Sequence, residues 1–176
     1  YFLGFQPAPD ENYIQLSTTN KKADKVNETK LAELTTEVKL FEGLVEGNFP
    51  ESFMRTNEQL ELKVGAQVMT VINDPGVLQD EQGKDHYMSK KYFNGTIGTI
   101  TDLLEDHIVI STTEHEIIPI YRTTWTNISY RWDAQQKTII SEEIGAFTQL
   151  PVRLAWAITV HKSQGLTFDK VIADIG

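Results

Sequence analysis

The sequence predicts an α/β fold in which a parallel sheet is built from the two ends of the chain and interrupted by a small β-rich barrel. Three observations carry this. A strand, a polar turn and a helical stretch follow one another near the start. From Leu60 to Phe147 the pattern changes to short strands divided by turn residues, and from Leu150 onward the first pattern returns.

Residues 13–17 (YIQLS) read as a short strand, and Ser17, Thr18, Thr19 and Asn20 supply N-cap candidates for the helix expected next. In that helix Ala23, Val26, Leu31 and Leu34 recur near the 3.6-residue period, with Lys21, Lys22, Lys25 and Lys30 available to the other faces. Residues 37–46 alternate in part and should be a connection with one strand, ending in the loop Gly47-Asn48-Phe49-Pro50. LELKVGAQVMTVIN (60–73) is a long β-rich run closed by the turn signature Asn73-Asp74-Pro75-Gly76. Residues 77–93 read as a long surface loop. Strands are expected at 96–102, after the Asn94-Gly95 turn, at 107–112 and at 116–121, and their close spacing suggests the barrel. Residues 127–132 place Ile128, Tyr130 and Trp132 on one face, and 137–147 run back as a hairpin partner that either closes the barrel or leads out of it. Residues 152–159 read as one extended apolar strand, 161–165 (HKSQG) as a polar turn ended by glycine, and 170–175 as a further buried strand. Trp156 is expected in the core, and Trp125 and Trp132, lying in strands, read as packing residues rather than base-stacking platforms.

Composition narrows the chemistry. With 176 residues, 40% hydrophobic and 23% charged, the chain has the make-up of a packed globular fold. The absence of cysteine removes disulfides, thiolate metal sites and a cysteine nucleophile. His86, His107, His115 and His161 show no metal-ligand spacing, and no apolar run approaches membrane-spanning length. The start YFLGF lacks a basic leader, and the chain ends on the apolar VIADIG, so it is expected to be an excised piece of a cytoplasmic protein. The net charge of −9 argues against nucleic-acid binding across the whole surface. Acidity is concentrated in the middle, however. Residues 17–30 carry four lysines against Asp24 and Glu28, and residues 148–176 carry Arg153, Lys162 and Lys170 against Asp169 and Asp174. A local polyanion site is compatible with that distribution.

Thr159, His161, Lys162, Ser163 and Gln164 place five hydrogen-bonding side chains just beyond a buried strand, and Gly165 permits a close backbone approach. Open α/β sheets bind ligands outside the carboxyl ends of their strands, where such donors favour a phosphate-bearing partner. The plainer alternative is a polar turn with His161 capping the strand. Ser17 to Lys22 offers similar chemistry, with helix capping as its plain alternative. Two such turns on one sheet would form a groove suited to a nucleic-acid backbone held without sequence preference. GxxxxGK[ST], a Gly-rich dinucleotide loop and a Ser/His/Asp order are absent, so unaided nucleotide hydrolysis is not expected.

Three segments carry a resemblance. VRLAWAITVHKSQGLTFDKV (152–171) resembles the fifth motif of Pif/RecD-like superfamily-one DNA helicases. LELKVGAQVMTVIND (60–74) with YFNGTIGTI (92–100) is similar to that family's "LKVGAQVM … NGxxG" segment, and IQLSTTNKKADKVN (14–27) resembles its fourth motif. The resemblance implies a second, incomplete RecA-like P-loop NTPase domain over 1–59 and 148–176, interrupted by an SH3-like barrel over 60–147. It implies part of an ATP-dependent 5′-to-3′ helicase acting in DNA repair or recombination, with single-stranded DNA as partner and a monomeric fragment. ATP and Mg²⁺ would serve the parent protein, with neither bound by the fragment. Thr18, Thr19, Asn20, Thr159, His161, Lys162 and Ser163 would contact DNA, and Gln164, Gly165 and Thr167 would couple to the nucleotide cleft. The first RecA-like domain and the sixth motif's arginine finger are missing, so no catalytic residue is expected in the fragment. Two other readings compete: a β-barrel module binding protein or RNA, and the helicase part of a conjugative relaxase.

Overall fold

The computed structural model describes residues 13–79, 85–87, 90–166, 168 and 170–173. Strand β1 (Ile14–Ser17) passes through Thr18-Thr19 into helix α1 (Asn20–Glu33). Thr19 is extended, and its Oγ1 accepts a hydrogen bond from the Lys22 amide at 3.3 Å, satisfying one of the helix's orphan donors. The helix buries Ala23, Asn27 and Leu31, a stripe four residues apart. The expected stripe ran through Val26, which is half-buried; the central place belongs to Asn27, whose amide finds backbone partners.

The connection expected to hold one strand holds two, β2 (Val38–Glu42) and β3 (Leu44–Gly47). They part at Gly43, where an added Cβ would meet the Phe147 ring at 2.6 Å, and they join different sheets. β2 pairs antiparallel with β4 (Gln59–Lys63), after a 3-10 turn over Glu51–Phe53. The run 60–73 likewise divides, at Gly65 with φ 90°, into β4 and β5 (Gln67–Thr70). Within residues 77–93, read from sequence as a loop, β6 (Val77–Gln79) and β7 (Asp85–Tyr87) pair antiparallel.

β8 (Ile97–Leu103), β9 (His107–Thr112) and β10 (Ile117–Tyr121) follow as an antiparallel meander. β11 (Thr123–Asp133) and β12 (Thr138–Gln149) form a long hairpin that pairs with β3, so it leads out of the meander's sheet. The last apolar run is two strands where one was expected: β13 (Val152–Leu154) pairs antiparallel with β5, and β14 (Ala157–Thr159) pairs parallel with β1. The chain changes sheet at Ala155-Trp156. After the single turn α2 (Val160–Ser163), β15 (Val171–Ala173) lies on the other side of β1. Expected to be buried, β15 leaves Val171 41% exposed, because it is the edge of the parallel sheet β14-β1-β15.

The five antiparallel strands run in the order β10-β9-β8-β5-β13. β5 explains how this sheet meets the parallel one. All four of its residues are buried, and alternation sends Val68 into the large core with Ile100, Ile110 and Val152, while Met69 packs with Ile14, Ala155 and Ile158 under the parallel sheet. Gln67, on the same strand, donates from Nε2 to the carbonyls of Ala155 at 2.8 Å and Tyr13 at 3.0 Å. One buried amide therefore fixes β5, the β13–β14 corner and the entry to β1 together. Trp156 packs against the large core while remaining partly exposed, and Trp125 stacks on Phe147 with ring centroids 5.6 Å apart.

Candidate functional site

β1 and β14 run parallel in a register that sets Ser17 beside Thr159. The two strands therefore end at the same level, and the turns that leave them emerge on one edge of the sheet. That edge is the carboxyl end, where backbone amides and helix starts point outward. The residues between β1 and α1 and those beyond β14 are far apart in sequence, and a three-residue register brings them together.

Thr18, Thr19 and Asn20 are all exposed, with Thr19 Oγ1 committed to the helix cap. The first turn of α1 contains no acid and carries Lys21 and Lys22, so the positive end of the helix is not neutralised locally. Thr159 is 5% exposed and stands at the start of α2 without a side-chain cap. His161 and Lys162 are exposed on that turn, and Ser163 Oγ donates back to the Val160 carbonyl at 2.7 Å. Gln164 and Gly165 are exposed, and Gly165 has φ 79° with open space around its Cα. Thr167 lies outside the described residues.

An open cleft of about 620 Å³ lies between α1 and the β13–β14 segment. It brings together Asn20, Thr159 and Lys162 from the expected site residues. Thr18, Thr19, His161, Ser163, Gln164 and Gly165 do not line it; they belong to the turns above. Asp24 and Arg153 join the lining, and neither stood out in the sequence. Arg153 did leave a signal, as the one charge in the apolar stretch 150–158. Burial holds its pKa below the ordinary arginine value, opposed by the charge of Asp24. Lys162 is also shifted down, first by partial burial and then by the Arg153 charge, with Asp24 again opposing.

Asn27 positions the cleft's wall. Its Nδ2 donates to the Ala157 carbonyl at 2.9 Å and its Oδ1 accepts from the Ala157 amide at 2.9 Å. The side chain thus completes the outer edge of β14 as a neighbouring strand would, and it ties α1 to the strand that carries Thr159. Ser17 Oγ is fully buried and has no hydrogen-bond partner among the described residues. No group of three or more His, Cys, Asp or Glu able to hold a metal ion occurs among the described residues. None of the described helices is long and apolar enough to cross a membrane.

No family model matches the chain. It is similar to the curated ATP-dependent DNA helicase Pif1 of Campylobacter jejuni, with 29% identity over 178 aligned residues that cover 94% of this chain and 37% of that protein. Among solved structures it is similar to unliganded Pif1 from Bacteroides sp., with TM-score 0.80 and 37% identity over 96% of this chain and 36% of that one. It also matches Bacteroides Pif1 in complex with ADP-AlF3 and single-stranded DNA, with TM-score 0.72 and 35% identity over 97% of this chain and 36% of that one. The chain therefore spans about a third of the length of the relatives it matches.

Proposed function

We propose, from the premise that this chain is a Pif1-like helicase C-terminal region, that it serves an ATP-dependent 5′-to-3′ DNA helicase by gripping the backbone of single-stranded DNA and forming one wall of the interdomain ATP cleft. The parallel register that sets Ser17 beside Thr159 carries this reading. Two donor-rich turns then form one rim, and small polar groups along a rim suit phosphodiesters held regardless of base. Thr18, Thr19, Asn20, Thr159, His161, Lys162 and Ser163 are assigned to the strand, with Thr159 acting through its backbone and by positioning α2. Gln164, Gly165 and Thr167 are assigned to coupling the DNA rim to the nucleotide.

Residues 1–59 and 148–176 make up the RecA-like part, and residues 60–147 the inserted unit. The antiparallel order β10-β9-β8-β5-β13 is compatible with part of a small SH3-like barrel, to which β13 is added from beyond the insertion. Gln164 and the open Gly165 backbone fit a polar wall for a nucleotide. Among the described residues there is no carboxylate cluster for Mg²⁺, and the sequence has no GxxxxGK[ST] loop, so the reading assigns both to the parent helicase. Turnover by these residues alone is not expected.

The exposed face of the β11–β12 hairpin, with Tyr130 69%, Trp132 63% and Ile139 66% accessible, favours a second reading in which the β-rich part docks another macromolecule. Replacing Lys162 and Gln164 by alanine in the complete helicase separates the two. The motor reading expects DNA-stimulated ATP turnover to fall at least about tenfold, the loss of roughly 1.4 kcal/mol of coupling. Unchanged turnover with loss of a bound partner would support the docking module instead.

A further inference from the structure

Arg153 places a charge inside a stretch that packing alone would fill with an apolar residue. It follows Val152, which is fully buried, and its own side chain is half-buried. Its one hydrogen bond among the described residues runs from Nε to the Arg55 carbonyl. That bond holds the guanidinium plane and leaves the two terminal nitrogens for another acceptor. Lys162 enters the same cleft from the turn after β14, and no hydrogen bond or ion pair engages its Nζ among the described residues.

Two cations side by side in a partly desolvated cleft disfavour each other unless an anion lies between them. The carboxylate that acts on both is Asp24 on α1, and it closes an ion pair with neither; the described ion pairs lie elsewhere, at Lys30–Glu33 and Asp106–His107. Glu28 and Glu61 also line the cleft, and of the three carboxylates it is Asp24 whose charge acts on the two cations. The end of the cleft nearest α2 is therefore a site with two positive charges, one offset negative charge and a preset guanidinium fork. Asn20, the first residue of α1, and Thr159, the last of β14, line the same cleft.

We propose that Arg153 and Lys162 form a two-cation seat for one phosphodiester of a bound single strand, with Asp24 as the counter-ion that the phosphate displaces. This rests on the proposed function and extends its groove to a residue outside both turns. A phosphate oxygen accepts the two Arg153 terminal N–H groups while Lys162 supplies a point charge from the other side. The seat is continuous with the rim of the turns, so the polynucleotide is its source of phosphate, rather than a free nucleotide.

The test is fluorescence anisotropy of a labelled oligothymidylate titrated with the chain and with Arg153→Gln, Lys162→Gln and Asp24→Asn, across about 20 to 200 mM salt. Arg153→Gln should weaken binding about five- to tenfold and lower the salt slope by about one. Asp24→Asn, an exposed change that removes no packing, should tighten binding about threefold. Opposite signs from two changes in one cleft are not the signature of general damage. If Lys162→Gln weakens binding while Arg153→Gln and Asp24→Asn leave it unchanged, the seat is wrong and the groove stands. If Arg153→Gln and Lys162→Gln are both without effect, the groove itself is wrong. Release of the oligonucleotide by ADP as readily as by unlabelled oligothymidylate would give the seat to a nucleotide and overturn the proposal.

Discussion

Single side chains set much of the local chemistry, and Tyr92 shows how. It is 5% exposed and its pKa is pushed up to about 12, first by burial and then by the charge of Asp74. Asp74 is held in place by the Gly76 amide at 2.9 Å and the Lys91 amide at 2.8 Å. Because the folded pKa lies above the unfolded value near 10, Tyr92 contributes stability that is complete below pH about 10 and lost as pH rises toward 12. Urea denaturation should show the stability gap between the wild type and Tyr92→Phe flat below pH about 10. The gap should then shrink by up to about 2–3 kcal/mol through pH 12. Thr19 was legible as a cap because hydroxyls before a helix have one common use. Asn27 and Arg153 were not, because their partners are backbone carbonyls distant in sequence, which only the folded chain brings within reach.

At the scale of elements, the strands were easier to find than their divisions. Residues 107–112 form a strand at the expected bounds, since alternating apolar residues between turns need little tertiary help. Residues 37–46, 60–73 and 152–159 each read as one extended piece and are each two strands. In each case both halves are β-like in sequence, and what separates them is the choice of sheet, a long-range matter. The 152–159 division bears on the site, because it hands the chain from the antiparallel sheet to the parallel one and so aims Thr159 at the rim. Asn27 holds that corner. Asn27→Leu should leave the Ala157 amide and carbonyl without partners and destabilise the fold by about 2–4 kcal/mol in urea denaturation. A loss below about 0.5 kcal/mol would show that the edge of β14 does not depend on it.

Over the whole molecule, the α/β pattern at both ends and the β-rich middle were readable because their periodicities differ. How the middle folds against the ends was not, since β5 lends one face to each core and only three-dimensional packing reveals that. The same topology gives an acidic chain of net charge −9 a place where its basic segments meet: residues 17–30 and 148–176 flank adjacent parallel strands. Long-range repulsion from the acidic middle should then limit affinity while leaving the position of binding unchanged. Amide chemical-shift mapping with an oligothymidylate tests that shared rim most directly. Residues 18–20 and 160–165 should shift together along one titration curve, weakening as salt rises. Shifts confined to one of the two turns, or centred on the β11–β12 hairpin, would contradict it.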